Sequence, residues 1–228
     1  MRLSPSMFAL LLLAGVTNTA KAVTLGHGDT FAVQGDTLAW TGGSGAPTPI
    51  LPVQISDGGP DGLGDGYLQI GADAFHLAAK NQTQWTGDYL SAGVTALAVD
   101  FNHLNPSGDN VQLRILIDGP GGLWASSNLT PPLAGNTWQE HIFALTRADL
   151  VHVTGGTGLL SDTLADVTRL QIKHDRTSPT SPGVNPPRIT ATLGIDNVYA
   201  LPEPATIALL ALGAILLVIS RSGRQQTG

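Results

Sequence analysis

Asp57, Asp61 and Asp65 recur at intervals of four along residues 57–67, a stretch otherwise rich in glycine. Calcium takes about six to eight oxygen ligands, and carboxylates beside exposed backbone carbonyls can supply them. The spacing is not that of an EF-hand, and Asp and Gly are equally what tight turns select, for left-handed geometry and side-chain-to-backbone hydrogen bonds. Both readings stand at this point: a calcium loop and a structural turn. Asp196 is a different case, because it lies among Leu193, Ile195, Val198 and Tyr199, where a carboxylate needs a partner or solvent.

Sugars present apolar C–H faces that stack on aromatic rings, and hydroxyls that bond to Asp, Asn, Gln and Arg. A sugar platform therefore needs a surface aromatic among polar side chains. Trp85 has that company: Asn81, Gln82, Thr83 and Gln84 precede it, and Asp88 and Tyr89 follow. Trp124, just after the glycine-rich turn at residues 119–122, is the second candidate. Trp40 and Trp138, each beside strand-forming residues, read as core anchors. For any of the four the alternative is burial.

Other chemistries are excluded by what the chain lacks. It has no cysteine, which removes thiol catalysis, disulfides and Cys-ligated zinc. The six histidines form no pair at metal spacing, and neither a nucleophile elbow nor a phosphate-cradling loop is present. Residues 23–200 hold a single glutamate, Glu140, so a glycosidase would have to draw both acid and base from aspartates. The same stretch counts seven Lys and Arg against sixteen Asp and Glu. Nucleic acid is thereby a poor partner, since neutralising phosphates needs clustered cations.

The two ends of the chain are unlike the middle. Met1 and Arg2 make a charged start, residues 7–16 are an apolar run, and Ala20-Lys21-Ala22 sets small residues where a signal peptidase cuts. Residues 1–22 thus read as a secretory signal peptide, the run being too short for a membrane span. At the other end the uncharged stretch 205–220 would be about 24 Å long as a helix, near the lower limit for crossing a bilayer. Arg221 and Arg224 follow it and would hold that end in the cytoplasm, leaving the folded domain outside the inner membrane.

The order Pro202-Glu203-Pro204, apolar helix, terminal arginines resembles the PEP-CTERM sorting signal of Gram-negative bacteria that make exopolysaccharide, over residues 201–228. The resemblance implies recognition by an exosortase, a membrane protease-transpeptidase, and delivery to the cell surface or extracellular matrix. Two arginines stand here where the family commonly has a denser cluster. An ordinary C-terminal membrane anchor is the alternative.

Positioning any of these side chains falls to residues 23–200, a length that suits one domain with one core. Short runs of alternating apolar residues are punctuated by Gly, Pro, Asn and Asp, and no amphipathic helix of useful length is present. Val111, Leu113, Ile115 and Ile117 share one face, as do Thr95, Leu97, Val99 and Phe101. Further strands are predicted at 53–56, 67–70, 74–79, 123–126, 137–145, 168–174 and 190–200, with single helical turns at 146–150 and 161–167. About nine or ten short strands specify an all-β fold, a β-sandwich of the jelly-roll type. The proline-rich stretch 174–188 reads as an insertion before the last strand.

The runs 35–40, 57–68 and Leu193-Gly194-Ile195-Asp196-Asn197-Val198 resemble the galactose-binding-like jelly rolls of many carbohydrate-binding modules. That resemblance implies that the first and last strands lie side by side. It also implies that an acidic residue of the closing strand helps hold a structural calcium, here Asp196 with Asp29 or Asp36 across the seam. The expectation is an exported, exosortase-sorted protein that binds extracellular polysaccharide without catalysis. Its competitors are a structural surface or biofilm protein with no ligand pocket, and a polysaccharide-degrading enzyme working through aspartate pairs.

Overall fold

The alternation at residues 95–101 and 111–117 builds one central strand in each of two sheets. In the computed structural model, which describes residues 23–43, 50–177 and 187–202, these are β6 (Ala96–His103) and β7 (Leu113–Asp118). Leu97, Val99 and Phe101 of β6 and Leu113, Ile115 and Ile117 of β7 are buried in a single core cluster. Period-two burial of this kind forces the intervening residues onto the outer faces, which is where the chemistry lies.

Sheet I runs in the order β3 (Val53–Ile55), β4 (Tyr67–Phe75), β12 (Ile189–Leu201), β6 and β9 (Gln139–Ala144), with β1 (Gly28–Asp29) pairing β12. Sheet II runs β10 (Leu150–Thr154), β8 (Leu123–Ser126), β7, β11 (Arg169–His174), β5 (Ala78–Asn81) and β2 (Thr41–Gly42). These strand pairings are antiparallel. The described residues form an all-β sandwich, and among them two short helices, α1 (Tyr89–Ala92) and α2 (Leu160–Ala165), lie between strands.

First and last strands do lie together: Gly28 pairs with Tyr199 and Asp29 with Val198. The seam needs a glycine, because a Cβ on residue 28 would stand 2.1 Å from the Tyr199 ring. Other boundaries differ from the sequence expectation. The predicted strand at 74–79 is broken at residues 76–77, so that β4 and β5 join different sheets. Ala74 takes φ +50 near that break. β10 continues straight out of the helical turn expected at 146–150, and α1 forms because Asp88 caps it and Gly93 closes it in the left-handed region. Among the described residues no helix is long and apolar enough to cross a membrane. The expected signal peptide (1–22) and the sorting-signal residues from Glu203 onward, including Pro204, Arg221 and Arg224, lie outside the described residues.

Candidate functional site

The expected sugar platform is not at the surface. Trp85, Tyr89 and Trp124 have no exposed area. Trp85 Nε1 donates to Asp29 Oδ2 at 2.7 Å, and Trp40 Nε1 donates to the same oxygen at 2.7 Å. The Tyr89 hydroxyl donates to the Trp85 carbonyl at 3.1 Å. Trp124 packs inward from β8 with the Arg147 guanidinium 5.0 Å from its ring centroid. The polar residues beside Trp85 serve the fold instead: Asn81 Oδ1 accepts from Thr83 N and Gln84 N, Gln84 Nε2 donates to Asp29 Oδ1, and Asp88 Oδ1 accepts from Ser91 N. Trp138, expected in the core, is half-buried on the outer face of sheet I.

Asp29 and Asp36 are likewise not partners of Asp196. Asp29 is committed to two indoles in the interior, and Asp36 is exposed, accepting from Leu38 N at 2.8 Å. Asp196 faces the opposite way, toward the loop of residues 57–66. A register shift between Asp196 and Tyr199, with Asn197 at φ +48, sets its direction. Its Cα partner on β6 is Asp100, which accepts from Asn197 Nδ2 at 2.9 Å.

Asp196 has no exposed area, and neither carboxylate oxygen has a hydrogen-bond partner. Burial pushes its pKa up to about 8, and repulsion from Asp65, Asp100 and Asp61 adds to the effect. The backbone N–H of Asn197 works the other way but lies outside hydrogen-bonding geometry. Within the loop, Asp57 Oδ1 accepts from Gly64 N at 2.6 Å and Asp65 Oδ2 accepts from Asp61 N at 2.9 Å, the bonds of a tight turn. Trp138 pins this loop: its Nε1 donates to the Gly58 carbonyl at 2.9 Å, and its ring meets Tyr67 edge-on at 5.3 Å over Gly194. A Cβ on residue 194 would stand 2.8 Å from that indole. Among the described residues no three carboxylates or histidines are gathered closely enough to hold a metal by themselves.

The outer face of sheet II has the opposite charge. Arg114 on β7, Arg169 and Lys173 on β11, and Lys80 on β5 all alternate with core residues and so point away from the core. Strand register assembles them. Gln171 stands opposite Lys80 on one side and Leu116 on the other, Lys173 opposite Ala78 and Arg114, and Arg169 opposite Asp118. Arg114 is fully buried, its Nε donating to Asp175 Oδ2 at 2.9 Å and its other nitrogens to the carbonyls of Ser126, Ser127 and Thr177. Arg169 donates to Asp118 at 2.9 Å. Lys80 and Lys173 are half-buried, and burial lowers the pKa of Lys173. Sequence reasoning missed this cluster, although the alternation Arg169, Gln171, Lys173 within one predicted strand was its signal.

Compared with family models and with curated proteins, the chain finds no match. Among solved structures it resembles an exo-β-agarase (12% identity, TM-score 0.52, 78% of this chain and 25% of that one). A second agarase shares 14% identity, TM-score 0.50, over 79% of this chain and 26% of that one. The chain thus spans about a quarter of each agarase. A family 11 carbohydrate-binding module from Clostridium thermocellum, in complex with a β-1,3-1,4-mixed-linked tetrasaccharide, has 10% identity and TM-score 0.46, over 73% of this chain and 91% of that one. At these identities the likeness to the two agarases is one of fold alone.

Proposed function

We propose that the protein binds a carboxylated or sulfated extracellular polysaccharide, without catalysis, through the outer face of sheet II. The observation that carries this reading is the partition of charge. Four of the seven basic residues between positions 23 and 200 are set by strand register on this face; Arg114 and Arg169 are ion-paired with Asp175 and Asp118, so the excess positive charge of the face is that of Lys80 and Lys173, while Asp100 and Glu140 stand on the outer face of sheet I. In a chain of net charge −6, a local cationic strip steers an anionic polymer to one face and repels it from the other. The test is electrophoresis of the full-length chain through detergent-containing gels cast with alginate or with a neutral β-glucan. Retardation by alginate that Lys80→Glu/Lys173→Glu removes is the expected result, and equal retardation by both polymers contradicts it. Burial of Trp85, Tyr89 and Trp124 favours one other reading, a structural surface protein that binds no glycan, for which neither gel would retard the chain.

Calcium belongs to the same proposal as a stabilising ion at Asp196. The fit rests on two buried carboxylate oxygens with no donor, which a hard cation would satisfy, the remaining ligands coming from backbone carbonyls of the 57–66 loop and from Asp100. Asp29 and Asp36 have no part in it. Export by the signal peptide, sorting by an exosortase at Pro202-Glu203-Pro204 and residence at the cell surface or in the matrix complete the proposal, supported by the sequence of the two ends.

A further inference from the structure

On the side of the sandwich where β9 faces β8, the two sheets part around a cavity of about 200 Å³. His141 and Phe143 line it from β9 and Ser126 from β8. Its rim comes from two crossings between the sheets. The β8–β9 connection supplies Asn128, Leu129, Thr130 and Pro131, and the turn before β10 supplies Asp149. The rim is held in place without a ligand. Thr130 N donates to the Leu113 carbonyl at 3.0 Å, Thr130 Oγ1 accepts from Leu113 N at 2.9 Å, and Ser127 N donates to the Asp149 carbonyl at 2.7 Å. A preformed rim lowers the ordering cost of binding.

Two polar atoms in these walls are left over. Ser126 Oγ and His141 Nε2 are both buried, and neither has a hydrogen-bond partner in the protein. Burial lowers the His141 pKa, so a neutral ring there can donate or accept. Buried polar groups are normally paired; both atoms sit behind the surface of the cavity that their residues line, so a ligand hydroxyl reaches them after a side-chain rotation.

We propose that this cavity is a second sugar site, taking one neutral pyranose unit at the end of a glycan chain. That the ligand is a sugar rests on the glycan-binding reading above. That it is a single neutral unit follows from the cavity itself. Its volume lies below the roughly 300–1,000 Å³ of drug-sized pockets, which limits it to one ring. Asp149 at the rim repels a carboxylated or sulfated unit. Phe143, Leu129 and Pro131 offer an apolar wall for ring C–H groups, while Ser126, Asn128 and His141 offer hydroxyl partners. The site is therefore complementary to the cationic face: one holds the charged chain, the other its neutral end.

The test is an NMR titration of the full-length chain in phosphocholine micelles, with the methyl glycosides of glucose, galactose and mannose as probes and glycerol as control. At least one glycoside should shift the amides of Asn128, Leu129, Thr130 and Phe143 saturably at millimolar concentration, and glycerol should not. Ser126→Ala should weaken the response several-fold. Leu129→Trp, at the rim and without disturbing the core, should abolish it and serves as the readout if Ser126→Ala fails to fold. No saturable shift with any of the three glycosides, or shifts that survive Leu129→Trp, overturns the proposal. Alginate retardation is read separately: its loss beside intact glycoside shifts would remove the sheet II reading and leave this site standing.

Discussion

Trp85 Nε1 donates to Asp29 Oδ2 across 2.7 Å inside the core, which ties β1 to the segment that follows β5. With Trp40 on the same oxygen and Gln84 on the other, both Asp29 oxygens accept from protein donors. Removing the carboxylate strands two buried indole N–H groups at about 1–3 kcal/mol each. Asp29→Ala should therefore lower the unfolding free energy by at least about 2 kcal/mol, and Trp85→Ala by about 3–5 kcal/mol. Urea unfolding reads both. An unchanged midpoint for either would place Trp85 at the surface after all.

Calcium should act on stability in a way that Asp196 controls. A ligand present at about 100 times its Kd stabilises by about 2.7 kcal/mol, which for a domain of this size raises the Tm by roughly 5–10 °C. Chelation should reverse that shift in the wild type, and Asp196→Asn should be insensitive to calcium and chelator alike. Superimposable wild-type melting curves in chelator and in millimolar calcium would leave Asp196 without its ion.

How far the sequence could be read depends on what set each feature. β6 and β7 were legible because their alternation is dictated locally by burial on one face, and Leu193, Ile195 and Val198 of β12 follow the same logic. The platform at Trp85 was misread because its polar neighbours looked solvent-facing, whereas Asn81, Gln84 and Asp88 bond to backbone and to Asp29. Trp138 was misread in the other direction, since only tertiary packing sets its ring over Gly194 of β12 and its Nε1 against the Gly58 carbonyl of the 57–66 loop. The alternation Arg169, Gln171, Lys173 was local and legible, but Lys80 and Arg114 join it only through the register between β5, β7 and β11; Lys80 and Gln171 are far apart in the chain and directly opposite in the sheet.

Acid should destabilise the fold through His174. This side chain is buried, and its Nδ1 accepts from Gln112 N at 3.2 Å, an arrangement that requires the neutral ring. Burial holds its pKa below the ordinary 6.5, so its contribution is complete above about pH 6.5 and is lost as pH falls toward the lower folded value. The stability advantage of wild type over His174→Gln, measured by urea unfolding, should be larger at pH 7 than at pH 5. A gap that does not change with pH would mean that His174 is not held neutral.

Sorting predicts a processing defect. In a host with the matching exosortase, Glu203→Ala should leave a full-length, membrane-bound chain, detected by immunoblot of membrane and medium. Unchanged release into the medium would show that the tripeptide is not read.

The most direct measurement is the affinity of the full-length chain for alginate as a function of salt. Counterion release makes log K fall linearly with log salt, with a slope that shrinks by about one for each cation removed. Wild type should show that linear fall, and Lys80→Glu/Lys173→Glu should lose both the affinity and most of the slope. Binding to alginate that is independent of salt and unchanged in the double variant would contradict a glycan site on the outer face of sheet II.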